Sequence, residues 1–254
     1  MCGRYAVTTV PEAMRALFRY LNQPNFPARY NIAPTQPVPI VRIFEGKREF
    51  ALVRWGLIPS WVKDPRGFSL LFNARGESAA EKPAFRNAMK RRRCLFPADG
   101  FYEWKQDGKN KRPYFVRLKG GGPMAFAGLW ESWMGPNGEE VETAAIVTTA
   151  ASREIAHIHD RMPVIVPPAA FDFWLDPNVD AEMAAAMIAP APNGLLESYP
   201  VSSAVNRVAN DTPDLLDPLR EDAMDEAAAP APKPKRAKKE KETAKKDDGH
   251  KSLF

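Results

Sequence analysis

The 254-residue chain contains only two cysteines, at positions 2 and 94, and only three histidines. A single well-separated cysteine pair excludes a disulfide framework, and so few histidines argue against a multi-histidine metal site. No metal and no cofactor are expected. No stretch approaches the ~18–20 apolar residues of a membrane span. The opening segment, MCGRYAVTTVPEAMRALFRYL, lacks an apolar signal core and a cleavage-site pattern, so an unsecreted, cytoplasmic protein without membrane contact is expected. A hydrophobic content of 44% with six Trp excludes a wholly disordered chain.

Charge is plentiful but uneven. The net +5 belongs to residues 229–254, which carry nine basic and four acidic side chains. Residues 1–120 hold 23 basic and 9 acidic groups, whereas residues 121–228 hold 4 and 18. A basic first half suggests a polyanionic partner for part of the surface. Composition shifts near Asp222 to Ala, Pro, Lys and Glu with almost nothing to bury. Two regions are therefore expected, a domain over 1–222 and a disordered tail over 223–254.

Within the domain, Thr9 can cap a helix in which Pro11 suits the first turn and Met14, Leu17, Phe18 and Leu21 share a face. Short strands and hairpin turns follow. Val38–Phe44 and Phe50–Trp55 flank Glu45-Gly46-Lys47, Phe101–Lys105 and Tyr114–Leu118 flank Asp107-Gly108, and Ala125–Trp133 and Val141–Thr149 flank Gly135-Pro136-Asn137-Gly138. Helices are expected over 73–93, restarted at Pro83, and over 168–175 and 180–188. The pattern predicts an α+β fold with an antiparallel, barrel-like sheet flanked by helices.

The residue with the most distinctive chemistry is Cys2. Removal of Met1 ahead of a small residue would expose an α-amine (pKa about 8) beside a thiol (about 8.5). Such a pair condenses with an aldehyde to an imine, and the thiolate then closes a thiazolidine. Alternatively the amine serves as base for the thiol. Cys94, in RRRCLFP, reads as a buried structural cysteine. Lys90 with Arg91–Arg93 reads as a solvated helix end beside carbonyls. His157 and His159 lie two apart, and the local pattern alone does not select between them.

Six dense strings exceed what core packing requires: Met1–Tyr5, Asn31–Pro34, Arg54–Trp61, Asn73–Glu77 (NARGE), Pro97–Lys105 (containing FYEWK) and Ile158–Pro163 (IHDRMP). In this order they resemble the SRAP family, the "SOS response-associated peptidase" proteins that shield abasic sites in single-stranded DNA. The resemblance spans residues 2–210 and implies a single SRAP-type domain. It implies a crosslinking Cys2 and catalytic Asn73, Glu103 and His159. It also implies phosphate contacts from Arg4, Arg75 and Arg161, and apolar elements Pro34 and Trp61 beside the unstacked side of the lesion. Relatives often have two adjacent Trp where this chain has Ser60-Trp61.

Residue chemistry agrees with those roles. Glu103 would protonate the sugar ring oxygen on opening and would need a raised pKa, supplied by burial between Tyr102 and Trp104. Asn73 orients by hydrogen bonds, and His159 moves protons. The family name implies self-removal of Met1 in place of general proteolysis, β-elimination from the imine predicts weak lyase activity at abasic sites, and a nucleoid-associated monomer is expected. The terminal His250-Lys251-Ser252-Leu253-Phe254 resembles peptides that bind the bacterial sliding clamp. Two other readings stand beside this one. Glutamine amidotransferases of the N-terminal-nucleophile type also begin Met-Cys-Gly, although residue 4 here is Arg and Asn137-Gly138 suits a hairpin turn. A non-catalytic DNA-binding module would tolerate Cys2→Ala.

Overall fold

A computed structural model of the protein describes residues 2–219. The tail, its terminal pentapeptide and Met1 lie outside the described residues. The described residues form thirteen strands: β1 Tyr5–Val7, β2 Arg29–Ile32, β3 Pro37–Phe44, β4 Lys47–Trp55, β5 Asn73–Arg75, β6 Arg93–Ala98, β7 Gly100–Asp107, β8 Asn110–Leu118, β9 Met124–Met134, β10 Glu140–Ala150, β11 Arg161–Pro163, β12 Ile165–Val166 and β13 Leu196–Pro200. Five short helices accompany them: α1 Pro11–Phe18, α2 Gly76–Ala79, α3 Arg86–Arg91, α4 Phe171–Leu175 and α5 Ala181–Ala185.

The three expected hairpins form β3–β4, β7–β8 and β9–β10. In the first, Glu45 and Gly46 both take positive φ, at 48° and 74°, the twist that a two-residue turn between strands demands. β3, β4, β10, β9 and β6 pair in a closed ring, a five-stranded barrel that removes the open edges of a sheet. Closure departs from the antiparallel expectation at one seam, because β4 meets β10 parallel, with Thr143 opposite Arg54. The second sheet runs β13-β8-β7-β1-β2.

β1 joins the two layers. Its side chains alternate, so Tyr5 and Val7 enter the main core while Ala6 faces the smaller cluster of Tyr102, Phe115 and Val201. The Tyr5 ring meets Trp55, Phe126 and Phe96 edge-on at centroid distances of 5.2, 6.0 and 6.5 Å. That packing anchors the N-terminal strand three residues from Cys2.

Two helix expectations need correction. Thr9 does not cap α1; the residue before the helix is Val10, and the Thr9 hydroxyl donates to Asp99 instead. The helix stops at Phe18, where Arg19 turns left-handed, so Leu21 lies beyond it and is exposed. Residues 73–93 are not mainly helical. Asn73-Ala74-Arg75 is taken up as a parallel strand by β10, with Asn73 opposite Ile146, and only Gly76–Ala79 and Arg86–Arg91 are helical. The backbone pairing available along β10 outweighs a modest local helix preference. Arg93 is not a solvated helix end either. It is buried, and its guanidinium donates to the carbonyls of Met89, Trp174, Asp176 and Val179. Among the described residues no helix is long and apolar enough to cross a membrane.

Candidate active site

Three chain segments hold Cys2 in place. β1 pairs with β7, Tyr5 opposite Phe101 and Ala6 opposite Gly100, and the Tyr102 N–H donates to the Arg4 carbonyl at 2.9 Å. Continuing that register sets Glu103 opposite Gly3. From the other side, Asn73 Nδ2 donates to the Cys2 carbonyl at 2.8 Å. The parallel β5–β10 pairing aims Asn73 at this point, so the strand that replaced the expected helix is what positions it.

Cys2 is fully buried, and desolvation pushes its thiol well above the ordinary range, with the nearby Glu103 charge adding to the effect. Glu103 is itself 3% exposed, and burial raises its carboxyl to about 7. The raised value agrees in direction with the sequence-based expectation, but the flanking Tyr102 and Trp104 side chains pack in the smaller cluster on the opposite face of β7, so the burial is supplied by other segments. His159 is half-buried, and burial first, then nearby positive charge, lowers its pKa. Its Nδ1 accepts the Arg161 N–H at 2.9 Å, which places the proton of the neutral ring on Nε2. The Asp160 carboxylate also lies 2.9 Å from Nδ1, ready to stabilise the protonated ring.

Glu103 and His159 open into one cavity of about 370 Å³, lined also by Arg4, Trp104, Lys111 and Asn206. The fold chooses between the two histidines: His157 is exposed, edge-on to Tyr114, and does not line this cavity. Arg4 reaches the cavity as a braced group. Its Nη1 donates to Asn31 Oδ1 at 2.7 Å and to the Val205 carbonyl at 2.6 Å, and its guanidinium lies 5.7 Å from the Trp104 ring centre. The brace is deep, because Asn31 is fully buried and its amide donates to the carbonyls of Val205, Arg207 and Asn210.

The remaining predicted residues are spread around this centre. Arg75 is exposed at the end of β5. Arg161 forms a two-pronged ion pair with Glu77, at 2.6 and 2.8 Å, and donates to the Thr148 carbonyl, so its guanidinium is committed within the protein. Pro34 is half-buried, next to Thr35, whose N–H donates to the Trp55 carbonyl. Trp61 is 56% exposed and edge-on to Phe68. Beside it lies a second cavity of about 470 Å³ between Thr35, Arg54, Arg66, Phe68 and Trp133.

Sequence reasoning missed Asn31, Trp104, Lys111 and Asn206 as parts of the site. Asn31 and Trp104 sit inside strings already singled out, which was the available signal. Nothing in the sequence pointed to Lys111. Among the described residues, no group of three or more His, Cys, Asp or Glu is placed to hold a metal ion. A small mixed barrel with a buried near-terminal cysteine, its carbonyl held by an asparagine and a burial-raised carboxyl nearby, defines the candidate site of this class of protein.

Comparison with known proteins makes that class specific. Residues 1–208 match the family model described as "SOS response associated peptidase (SRAP)". The abasic site processing protein YoqW of Bacillus subtilis is 37% identical over 222 residues, covering 85% of this chain and 99% of that protein. The abasic site processing protein YedK of Escherichia coli is 31% identical, covering 86% of this chain and 100% of that one. HMCES of Gallus gallus, also called an abasic site processing protein, is 31% identical over 86% of this chain and 78% of its own length. A crystal structure of a protein from Bacteroides thetaiotaomicron superposes with a TM-score of 0.78 at 25% identity, covering 86% of this chain and 100% of that one. The chain belongs to the SRAP family.

Proposed function

We propose that this protein processes abasic sites in single-stranded DNA by joining them covalently to Cys2 once Met1 has been removed. The observation that carries the reading is the 2.8 Å bond from Asn73 to the Cys2 carbonyl, which holds the residue beside a carboxyl raised to about 7.

The order of steps follows from the two protonation states. Burial keeps the thiol protonated, so the freed α-amine attacks first. Glu103 donates a proton to the sugar ring oxygen as the closed sugar opens to its aldehyde. The amine adds to the carbonyl carbon, and loss of water leaves an imine. The thiol proton passes to the Glu103 carboxylate as sulfur bonds to the former aldehyde carbon, and the imine nitrogen takes up a proton. One C–N and one C–S bond form, and one water leaves. His159, neutral near pH 7, accepts and returns protons at the sugar hydroxyls. Release of Met1 is the one peptide-bond cleavage this reading requires. Strand cleavage by elimination from the imine is a slow side reaction, and the terminal pentapeptide 250–254 is a sliding-clamp ligand.

Mass spectrometry of the product from an abasic oligonucleotide tests the reading. The expected species is the chain from Cys2 onward plus the oligonucleotide less one water. An adduct that retains Met1, or one formed equally by Cys2→Ala, would overturn it. Release of ammonia from glutamine would favour the amidotransferase alternative.

A further inference from the structure

The distal part of the β7–β8 hairpin, residues 105–112, carries four basic side chains, Lys105, Lys109, Lys111 and Arg112, against the single acid Asp107. Its tip is stiffened by Gln106, whose amide donates to the carbonyls of Gly108 and Asn110. Beneath this arm lies a cavity of about 180 Å³, lined by Asp107, Asn110, Lys111, Arg112, Pro113 and Ser203 among others. Lys111 also lines the cavity holding Glu103 and His159, so one ammonium borders both spaces. Its charge reaches the reactive centre, as it helps to hold the His159 pKa down.

The cations around the centre differ in how far they are committed. Arg161 is paired with Glu77, and Arg4 is bonded to Asn31 and Val205. Lys111 forms no ion pair among the described residues and is exposed. Arg112 makes one long contact with Asp107, at 3.5 Å. An ammonium, a guanidinium, an amide and a hydroxyl on this lining are donors that bind phosphate oxygens, and the one carboxylate there, Asp107, is countered by Arg112.

We propose that the cavity under the β7–β8 hairpin is a phosphate subsite for a nucleotide flanking the lesion, entered past Lys111 from the reactive cavity. This rests on the abasic-site reading above and extends it by giving the strand an exit direction. The ligand is the phosphodiester of the bound strand, recognised by charge and hydrogen bonding without base readout.

The test uses the full chain and single-stranded oligonucleotides with one abasic site. Adduct yield is measured against DNA concentration over a series of salt concentrations for wild type, Lys111→Gln and Lys111→Gln/Arg112→Gln. The single variant is expected to raise the half-saturating DNA concentration several-fold. Removing one cation that neutralises a phosphate should lower the slope of log affinity against log salt by about 0.7. Trimming the flanking nucleotides from one side of the lesion should bring wild type to the double variant's level, and trimming the other side should not. Unchanged half-saturation and slope in both variants, with wild type still crosslinking, would overturn the subsite alone. Absence of any adduct with wild type would instead overturn the reading on which it rests. Circular dichroism melts of the variants separate loss of binding from loss of fold, and Lys111→Arg should restore wild-type half-saturation.

Discussion

Cys2 and Cys94 are both fully buried, and desolvation pushes both thiols upward. Glu103 and Glu131 form a similar pair, two strand carboxylates that are 3% and 4% exposed and raised by burial. Around Cys94 the neighbouring polar groups have local partners. Glu131 meets Arg92 at 2.7 Å, the Trp174 indole donates to the Cys94 carbonyl at 2.8 Å, and Arg93 caps surrounding carbonyls. At the Cys2 end, Glu103 and His159 also open into a cavity. Burial shifts a pKa at both ends, but only an adjoining open space lets a substrate use the shifted group.

That comparison can be broken by three sets of variants. Cys2→Ala should abolish the heat-stable adduct on abasic DNA, whereas Cys94→Ala should crosslink like wild type on a denaturing gel. Glu103→Gln should slow single-turnover crosslinking about 100-fold, with Glu131→Gln close to wild type. It should also remove a pH effect on stability. With a folded pKa of about 7 against an ordinary 4.5, Glu103 keeps its proton in the folded chain after the unfolded chain has lost it. Stability therefore falls as pH rises through that window, and the Gln variant should show a shallower fall in urea titrations. Arg93→Met should cost about 2 kcal/mol in the same titrations by stranding buried carbonyls, and leave adduct chemistry alone. Smallest, Cys94→Ala should cost about 1 kcal/mol for the small void it leaves.

Hairpins were readable because their turns depend on neighbouring residues. Glu45-Gly46 and Asp107-Gly108 specify tight turns, with positive φ at Glu45, Gly46 and Gly108, wherever they occur in space. Residues 73–93 were misread because pairing with β10 decides Asn73's conformation, and β10 begins at Glu140. Thr9 failed as a cap for the same kind of reason, since Asp99 offers its hydroxyl a partner ninety residues away. At the site, Cys2, Asn73, Glu103 and His159 could be named from their strings. Which of them meet, and through which atoms, could not.

The sequence by itself determined the chemical inventory: a cysteine behind the initiator methionine, an asparagine, a carboxyl between two aromatic residues, and a surplus of cations in the first half. Side-chain chemistry and turn preference are properties of residues and their immediate neighbours, so they can be read without coordinates. Tertiary structure alone decided that Glu103 titrates near 7, that His159 and not His157 faces the cavity, and that Arg161 is spent on Glu77. It also placed Lys111 between two polar spaces. Desolvation and proximity depend on segments remote in the chain, as in the bond from Arg4 to Val205, 201 residues apart.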